Sequence, residues 1–222
     1  MTALDATVRI RAVSFDLDGT LIVGTSDVHL ARELGFVEEV LEWDRLYVSG
    51  KMSSREFEDK EAERCRGRKK ADLVNIMSTL PKISGIRETV DRLHSEGIIV
   101  LAGTIAWDFV SEHFKKEYGF DEASSSAMGQ DCNGILDGTI AKHFDEYDKA
   151  LWVEEVCRNR GISMAEVAAV GDSRSDIPLF EKVGLAIALN GTPKLREVAD
   201  LSFVSDDLSV VVEPILAGSR KT

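Results

Sequence analysis

The chain reads as an α/β protein whose parallel-sheet core is interrupted, after its first strand, by a segment made only of helices. Three observations predict this. The apolar-leaning run over residues 8–15 has the composition of a buried strand and stops at two carboxylates one residue apart, Asp16 and Asp18, followed by the turn signal Gly19-Thr20. From Asp27 to about Leu80 the apolar residues recur every three or four positions. Beyond Pro81, short apolar runs alternate with amphipathic stretches, as they do when parallel strands are joined by helices.

The 222 residues give room for one sizeable core and an insertion of modest size. The expected division is a core over 1–24 and 83–222, with a helical insert over 25–82.

Within the insert, Val28, Leu30, Ala31 and Leu34 share one helical face, as do Val37, Val40, Leu41 and Leu46. Phe57 and Ala62, then Leu73, Val74, Ile76, Met77 and Leu80, continue the spacing, and Gly35, Gly50 and Gly67 divide the block into about four helices. Ser53 with Glu56 three residues on has the form of a capping box.

After Pro81 a helix over 86–95 leads through Gly97 into the continuous apolar run 98–102, a parallel-type strand ending at Gly103-Thr104. An amphipathic helix is expected over 108–118, closed by Gly119. A strand is expected over 123–128, then a hairpin or flap over 131–140, marked by Asn133-Gly134 and Asp137-Gly138. Lys149 is read as opening a helix that runs to Asn159, and Ser163 with Glu166 as a capping box for a very short one. The buried strand 167–170 delivers Gly171, Asp172 and, four residues further, Asp176. A helix over 177–183, a strand over 185–189, a helix over 193–199 and an apolar run over 201–204 complete the pattern.

A net charge of -12 and a pI near 4.9 argue against nucleic-acid binding, which draws on positive charge to displace phosphate counterions. An anionic substrate would therefore need local cations or a metal. No apolar run is long enough to span a membrane, and the start Met1-Thr2-Ala3-Leu4-Asp5 is too short and acidic for a signal peptide, so a cytoplasmic protein with no membrane partner is expected. Cys65, Cys132 and Cys157 fit no paired spacing and read as reduced thiols. His29, His94, His113 and His143 are expected to be solvated, and the basic run Arg64, Arg66, Arg68, Lys69, Lys70 to be a charged turn between helices.

Reactive groups fall at strand ends or helix starts: Asp16 with Asp18, Thr104, Lys149, and Asp172 with Asp176. Open α/β sheets bind ligands at the carboxyl ends of their strands. Two carboxylates this close raise each other's pKa unless a cation compensates them, and a divalent metal would do so.

Asp16-Leu17-Asp18-Gly19-Thr20 resembles the nucleophile motif of the haloacid dehalogenase (HAD) superfamily. Thr104, Lys149 and the Gly171-Asp172 pair with Asp176 follow in the order of that family's other motifs, and the layout is similar to its phosphoserine-phosphatase-like branch, which carries an α-helical C1 cap. The resemblance implies a HAD-type, Rossmann-like core and Mg2+-dependent hydrolysis of a small phosphorylated metabolite through an aspartyl-phosphate. It makes Asp16 the nucleophile and a metal ligand, Asp18 the general acid/base and, through its carbonyl, a metal ligand, and Asp172 a further metal ligand. Asp176 would sit behind these, hydrogen-bonding the ligands or Lys149, while Thr104 and Lys149 would hold the phosphoryl oxygens.

Thr25, Gly103 and Ile105 are the candidate substrate contacts. The sequence departs from the branch at two of its substrate positions: Thr25 stands near the place of a loop Glu, and Glu61, by simple register, at that of a cap Arg. Asp27 and either Arg55 or Arg64 would replace them in a shifted register. Phosphoserine phosphatase proper and a phosphotransferase or phosphomutase on the same scaffold stay open as alternatives, as does the choice of monomer or homodimer.

Overall fold

The N-terminal apolar run supplies β1 (Ala12–Phe15), four buried residues at the centre of a six-stranded parallel sheet in the computed structural model, which describes residues 8–218. The acidic start, residues 1–5, lies outside the described residues. Four helices follow: α1 (Ser26–Leu34), α2 (Val37–Val48), α3 (Ser54–Cys65) and α4 (Lys70–Met77). The chain then returns to the core through α5 (Ile86–Ser95), β2 (Ile99–Ala102), α6 (Asp108–Tyr118) and β3 (Glu122–Ala123). A hairpin of β4 (Ala127–Gln130) and β5 (Leu136–Lys142) stands apart as a second sheet. The remainder is α7 (Glu146–Arg158), β6 (Val167–Gly171), α8 (Ile177–Phe180), β7 (Leu185–Leu189), α9 (Pro193–Val198), β8 (Leu201–Phe203) and α10 (Val212–Ala217).

The strand order is β3-β2-β1-β6-β7-β8. Phe15 lies level with Ala102 of β2 and Val170 of β6, so all three strands leave the sheet at one edge and carry Asp16, Thr104 and Asp172 out together. Both faces are covered, which is why the strands read as unbroken apolar runs. Val13, Phe15, Val100, Ala102, Ala168 and Val170 face the side packed by α5, α6 and α10. Ala12, Leu101, Val167 and Ala169 face α7, α8 and α9. The insert shares the first of these cores through Leu30, Ala62, Cys65, Leu73 and Met77, whereas Phe36, Val40, Trp43 and Met52 form a small cluster of their own around α2.

The structure departs from the sequence reading in four elements. The strand expected over 123–128 is split between β3 and β4, because Ser124 and Ser126 turn to serve the chain around Thr104 and Trp107. Asp137-Gly138 is not a turn but part of β5, where Gly138 takes φ +78 beside register shifts in the hairpin; the turn is at Asn133-Gly134. Helix α7 starts at Glu146, capped by the Asp145 carboxylate on the amides of Tyr147 and Asp148, so Lys149 lies a turn inside it. Helix α10 was not foreseen. Among the described residues no helix is long and apolar enough to cross a membrane.

Candidate active site

Asp16 leaves β1 held by its own N–H, which donates to Val170 O at 2.9 Å, so the carboxylate is placed by the sheet and not by a loop. The chain then turns tightly, with the amides of Leu21 and Ile22 both donating to Leu17 O at 2.8 Å. Gly19 takes φ +75 in that turn, and any side chain there would collide with the Asp172 carboxylate.

Lys149 is fully buried between two acids, its Nζ 3.1 Å from Asp16 Oδ1 and 2.5 Å from Asp176 Oδ1. Burial alone would push this ammonium down; Asp16 and Asp176 overcome that and hold it above the usual lysine range. The second oxygen of Asp176 accepts the N–H groups of Asp172 and Ser173 at 3.0 and 3.2 Å. Asp176 therefore orients both the lysine and the loop that carries Asp172.

Carboxylate oxygens of Asp16, Asp172 and Asp176 lie within 4.8 Å of one another. Asp172 Oδ1 is buried and accepts no hydrogen bond, and Asp176 is committed to Lys149 and the loop amides. Burial and the neighbouring acids push Asp16 up to about 7, against the pull of Lys149, and Asp172 up to about 8. One lysine among three clustered acids leaves a negative surplus and an unused oxygen. These are hard oxygen donors of the kind Mg2+ takes, so the residues fit a divalent cation held by Asp16 and Asp172. The Asp18 side chain is not in this cluster.

Instead the Asp18 carboxylate turns toward the insert, accepting Ser26 N–H on Oδ1 at 2.6 Å and Ser26 O–H on Oδ2 at 2.9 Å. Burial, with Asp27 nearby, raises it to about 7 in spite of those bonds. Thr104 is buried at the end of β2, its N–H given to Ser124 Oγ at 2.8 Å and its Oγ1 accepting Ala106 N–H at 3.1 Å. Gly103 and Ile105 flank it, with the Gly103 N–H bound to Phe15 O. Thr25 is the N-cap of α1, its hydroxyl accepting from Val28 N–H, which gives it a structural task.

The insert meets the site with acids. Glu58, Glu61, Ala62 and Cys65 are the buried face of α3. Glu61 accepts Trp107 Nε1–H at 2.6 Å, and Glu58 bonds Ser126 Oγ and His143 Nδ1. Neither cap arginine weighed from the sequence turns inward: Arg55 pairs with Asp59 on an exposed surface, and Arg64 with Glu39. Of the four histidines expected to be solvated, His94 is exposed and bonds Asp121, whereas His29, His113 and His143 are half-buried and bond Thr79, Glu117 and Glu58. The basic run behaves as a charged turn, with Arg66 on Glu63 and Lys70 on Asp108. Cys65, Cys132 and Cys157 are free thiols.

Ser26, Ser124, Tyr47 and Arg174 were not singled out from the sequence. The guanidinium of Arg174 lies 4.1 Å over the Tyr47 ring, joining the loop after Asp172 to α2 of the insert. A signal for the acids did exist: positions 58, 61, 62 and 65 have the i, i+3, i+4, i+7 spacing of one helical stripe, so two glutamates share a stripe with Ala62 and Cys65.

A family model for haloacid dehalogenase-like hydrolases matches residues 13–181. The phosphoserine phosphatase of Archaeoglobus fulgidus is 31% identical over 199 residues, which cover 89% of this chain and 58% of that protein. That of Methanocaldococcus jannaschii is 28% identical over 211 residues, 92% of this chain and 97% of that one. Among solved structures, a phospho-aspartyl intermediate analogue of phosphoserine phosphatase superposes with a TM-score of 0.83 at 26% identity, covering 93% of this chain and 99% of the other. A substrate-bound phosphoserine phosphatase complex gives 0.84 at 25% identity over the same shares.

Proposed function

The chain belongs to the haloacid dehalogenase-like hydrolase family and is a phosphatase of its phosphoserine-phosphatase-like branch, and we propose that it hydrolyses a small phosphomonoester, with Mg2+, through an aspartyl-phosphate on Asp16. The observation that carries this reading is the buried Asp16–Lys149–Asp176 chain beside the unpartnered oxygen of Asp172. It gives a carboxylate fixed in orientation, a cation for the phosphoryl oxygens, and ligands for a second cation.

Asp16 Oδ2, the oxygen that Lys149 leaves free, attacks phosphorus, and the ester oxygen departs with a proton from Asp18. Water then attacks the aspartyl-phosphate, Asp18 takes its proton, and inorganic phosphate leaves with Asp16 restored. Asp16 and Asp172, with the Asp18 carbonyl, would hold the Mg2+, which when bound screens the repulsion between carboxylate and phosphate. Lys149 and Thr104 stabilise the charge on the transferring oxygens. Residues 25–82 act as a cap that excludes water during the first transfer. Their acidic inner face, with no cap arginine turned in, favours a substrate other than phosphoserine itself.

Phosphate release from an aryl phosphate, with and without Mg2+, tests the reading against Asp16→Asn. Mg2+-dependent turnover that drops by about three orders of magnitude or more in the variant is the expected result. Release that the variant leaves intact would overturn it, and transfer of phosphate to an added alcohol without net release would point to a phosphotransferase.

A further inference from the structure

Outward from Asp18 the site is lined by a short sequence of contacts: Ser26, which holds the Asp18 carboxylate, then Asp27 beside it on α1, then Glu61 on α3. Glu61 is 1% exposed. Its Oε2 accepts the Trp107 indole N–H, its Oε1 is buried and receives no hydrogen bond from any N–H or hydroxyl, and its carboxyl lies against that of Asp27. Glu58 nearby differs in this respect, because Ser126 and His143 occupy both of its oxygens.

Among the described residues no lysine or arginine pairs with Asp27 or Glu61. Arg55, Arg64 and Arg66 are spent on Asp59, Glu39 and Glu63, Lys60 lies over Trp43, and Arg174 is held by Tyr47 and Glu146. A buried carboxyl facing a half-buried one without a cation is expensive unless protonated or paired. Burial, with Glu61 and Glu58 nearby, pushes Asp27 well above its ordinary value; burial, with Asp18 and Glu58 nearby, pushes Glu61 up to about 7 against the hydrogen bonds it accepts from Trp107 and Asp27.

This inference rests on the role proposed above for Asp18. If Asp18 protonates the leaving oxygen, whatever that oxygen is attached to extends toward Asp27 and Glu61. A carboxylate there would be repelled, and a hydroxyl would satisfy Oε1 without neutralising the pair. A cationic nitrogen would do both. We propose that the Asp27–Glu61 pair is a subsite for an ammonium group on the leaving alcohol, and that the substrate is a phosphomonoester of an amino alcohol with no carboxylate beside the amine.

The test is kcat/KM of the Mg2+-loaded protein on phosphoethanolamine, on ethyl phosphate as its neutral counterpart, on phosphoserine, and on an aryl phosphate as control. The expected result is a preference of about tenfold or more for phosphoethanolamine over both ethyl phosphate and phosphoserine. In Glu61→Gln and, separately, Asp27→Asn, the ratio of phosphoethanolamine to ethyl phosphate falls toward one, chiefly through KM. A variant that merely loosens the fold lowers both substrates together and leaves the ratio standing. Equal use of the ammonium and neutral esters by the wild type, a preference for phosphoserine, or a ratio unmoved in both variants would overturn the subsite while aryl phosphate turnover keeps the phosphatase reading intact. Absence of release from every ester would overturn both.

Discussion

Burial and the neighbouring Asp27 push Asp18 up to about 7, while two hydrogen bonds from Ser26 pull the other way. The first effect wins, and the carboxyl keeps a proton into the neutral range, where it can give it to a leaving alkoxide. The sign follows directly: Asp18 is competent as an acid below its pKa and loses that competence above it. For an alkyl phosphate, whose leaving group needs the proton, kcat/KM is expected to fall about tenfold per pH unit beyond a break at or below about 7, since a bound cation favours the charged form. Asp18→Asn should remove that limb and cost about 10²–10⁴ in rate, as a pH–rate profile would read. An unchanged profile in the variant would assign the limb to another group. Asp16, Asp18 and Asp172 were legible in the sequence because carboxylates at the ends of apolar strands have little else to do there. Ser26 was not, since a serine at a helix start is an ordinary cap, and its bonds to Asp18 depend on a fold-back of the chain that no local pattern encodes.

Lys149 illustrates what the elements add. Its position one turn inside α7 is set by Asp145, whose carboxylate accepts the amides of Tyr147 and Asp148 while the Asp148 side chain returns the bond. Asp145→Ala is expected to cost about 1 kcal/mol in urea denaturation and to lower kcat more than KM, because the first turn that frays is the one that aims Lys149. Full stability in the variant would mean that tertiary packing alone holds the turn. The capping boxes at Ser53 and Ser163 could be read in advance, because each is a local motif whose two halves lie three residues apart. Asp145 escaped because the polar stretch before Lys149 has no apolar periodicity to mark a helix. The strand expected over 123–128 failed for the opposite reason: its composition is strand-like, but two of its serines are claimed by partners distant in sequence, Thr104 and Glu58.

The whole molecule carries an electrostatic debt that a metal would settle. Asp16 at about 7 and Asp172 at about 8 both stand above the ordinary value of 3.8, so the metal-free folded state binds protons that the unfolded chain has released. Their contribution to stability is complete below about pH 4 and is lost as pH rises through 7 and 8. A divalent cation held by Asp16 and Asp172 would take the place of those protons. Mg2+ should therefore raise Tm more at pH 8 than at pH 6 in thermal denaturation, and Asp172→Asn should lose most of that response. Equal responses at the two pH values would place the metal elsewhere. The parallel α/β core and the block of helices after its first strand were legible because strands and helices announce themselves by composition and period, though the strand order was not read from them. How firmly the insert is fixed to the core was not, since it depends on hydrogen bonds between segments far apart in the chain.

Those bonds run along one seam. The link between α3 and α4 is tied to the β4–β5 hairpin by Gly67 N–H to Leu136 O, Leu136 N–H to Arg68 O and Lys70 N–H to Gly134 O, at 2.8 to 2.9 Å. Helix α2, in contrast, has a small apolar cluster of its own and meets the loop after Asp172 through the stack of Arg174 on Tyr47. The four helices thus divide into a jamb and a leaf. Half of the insert is sewn to the frame by backbone bonds, and the other half is latched to the loop after Asp172 by a guanidinium lying on a phenol ring.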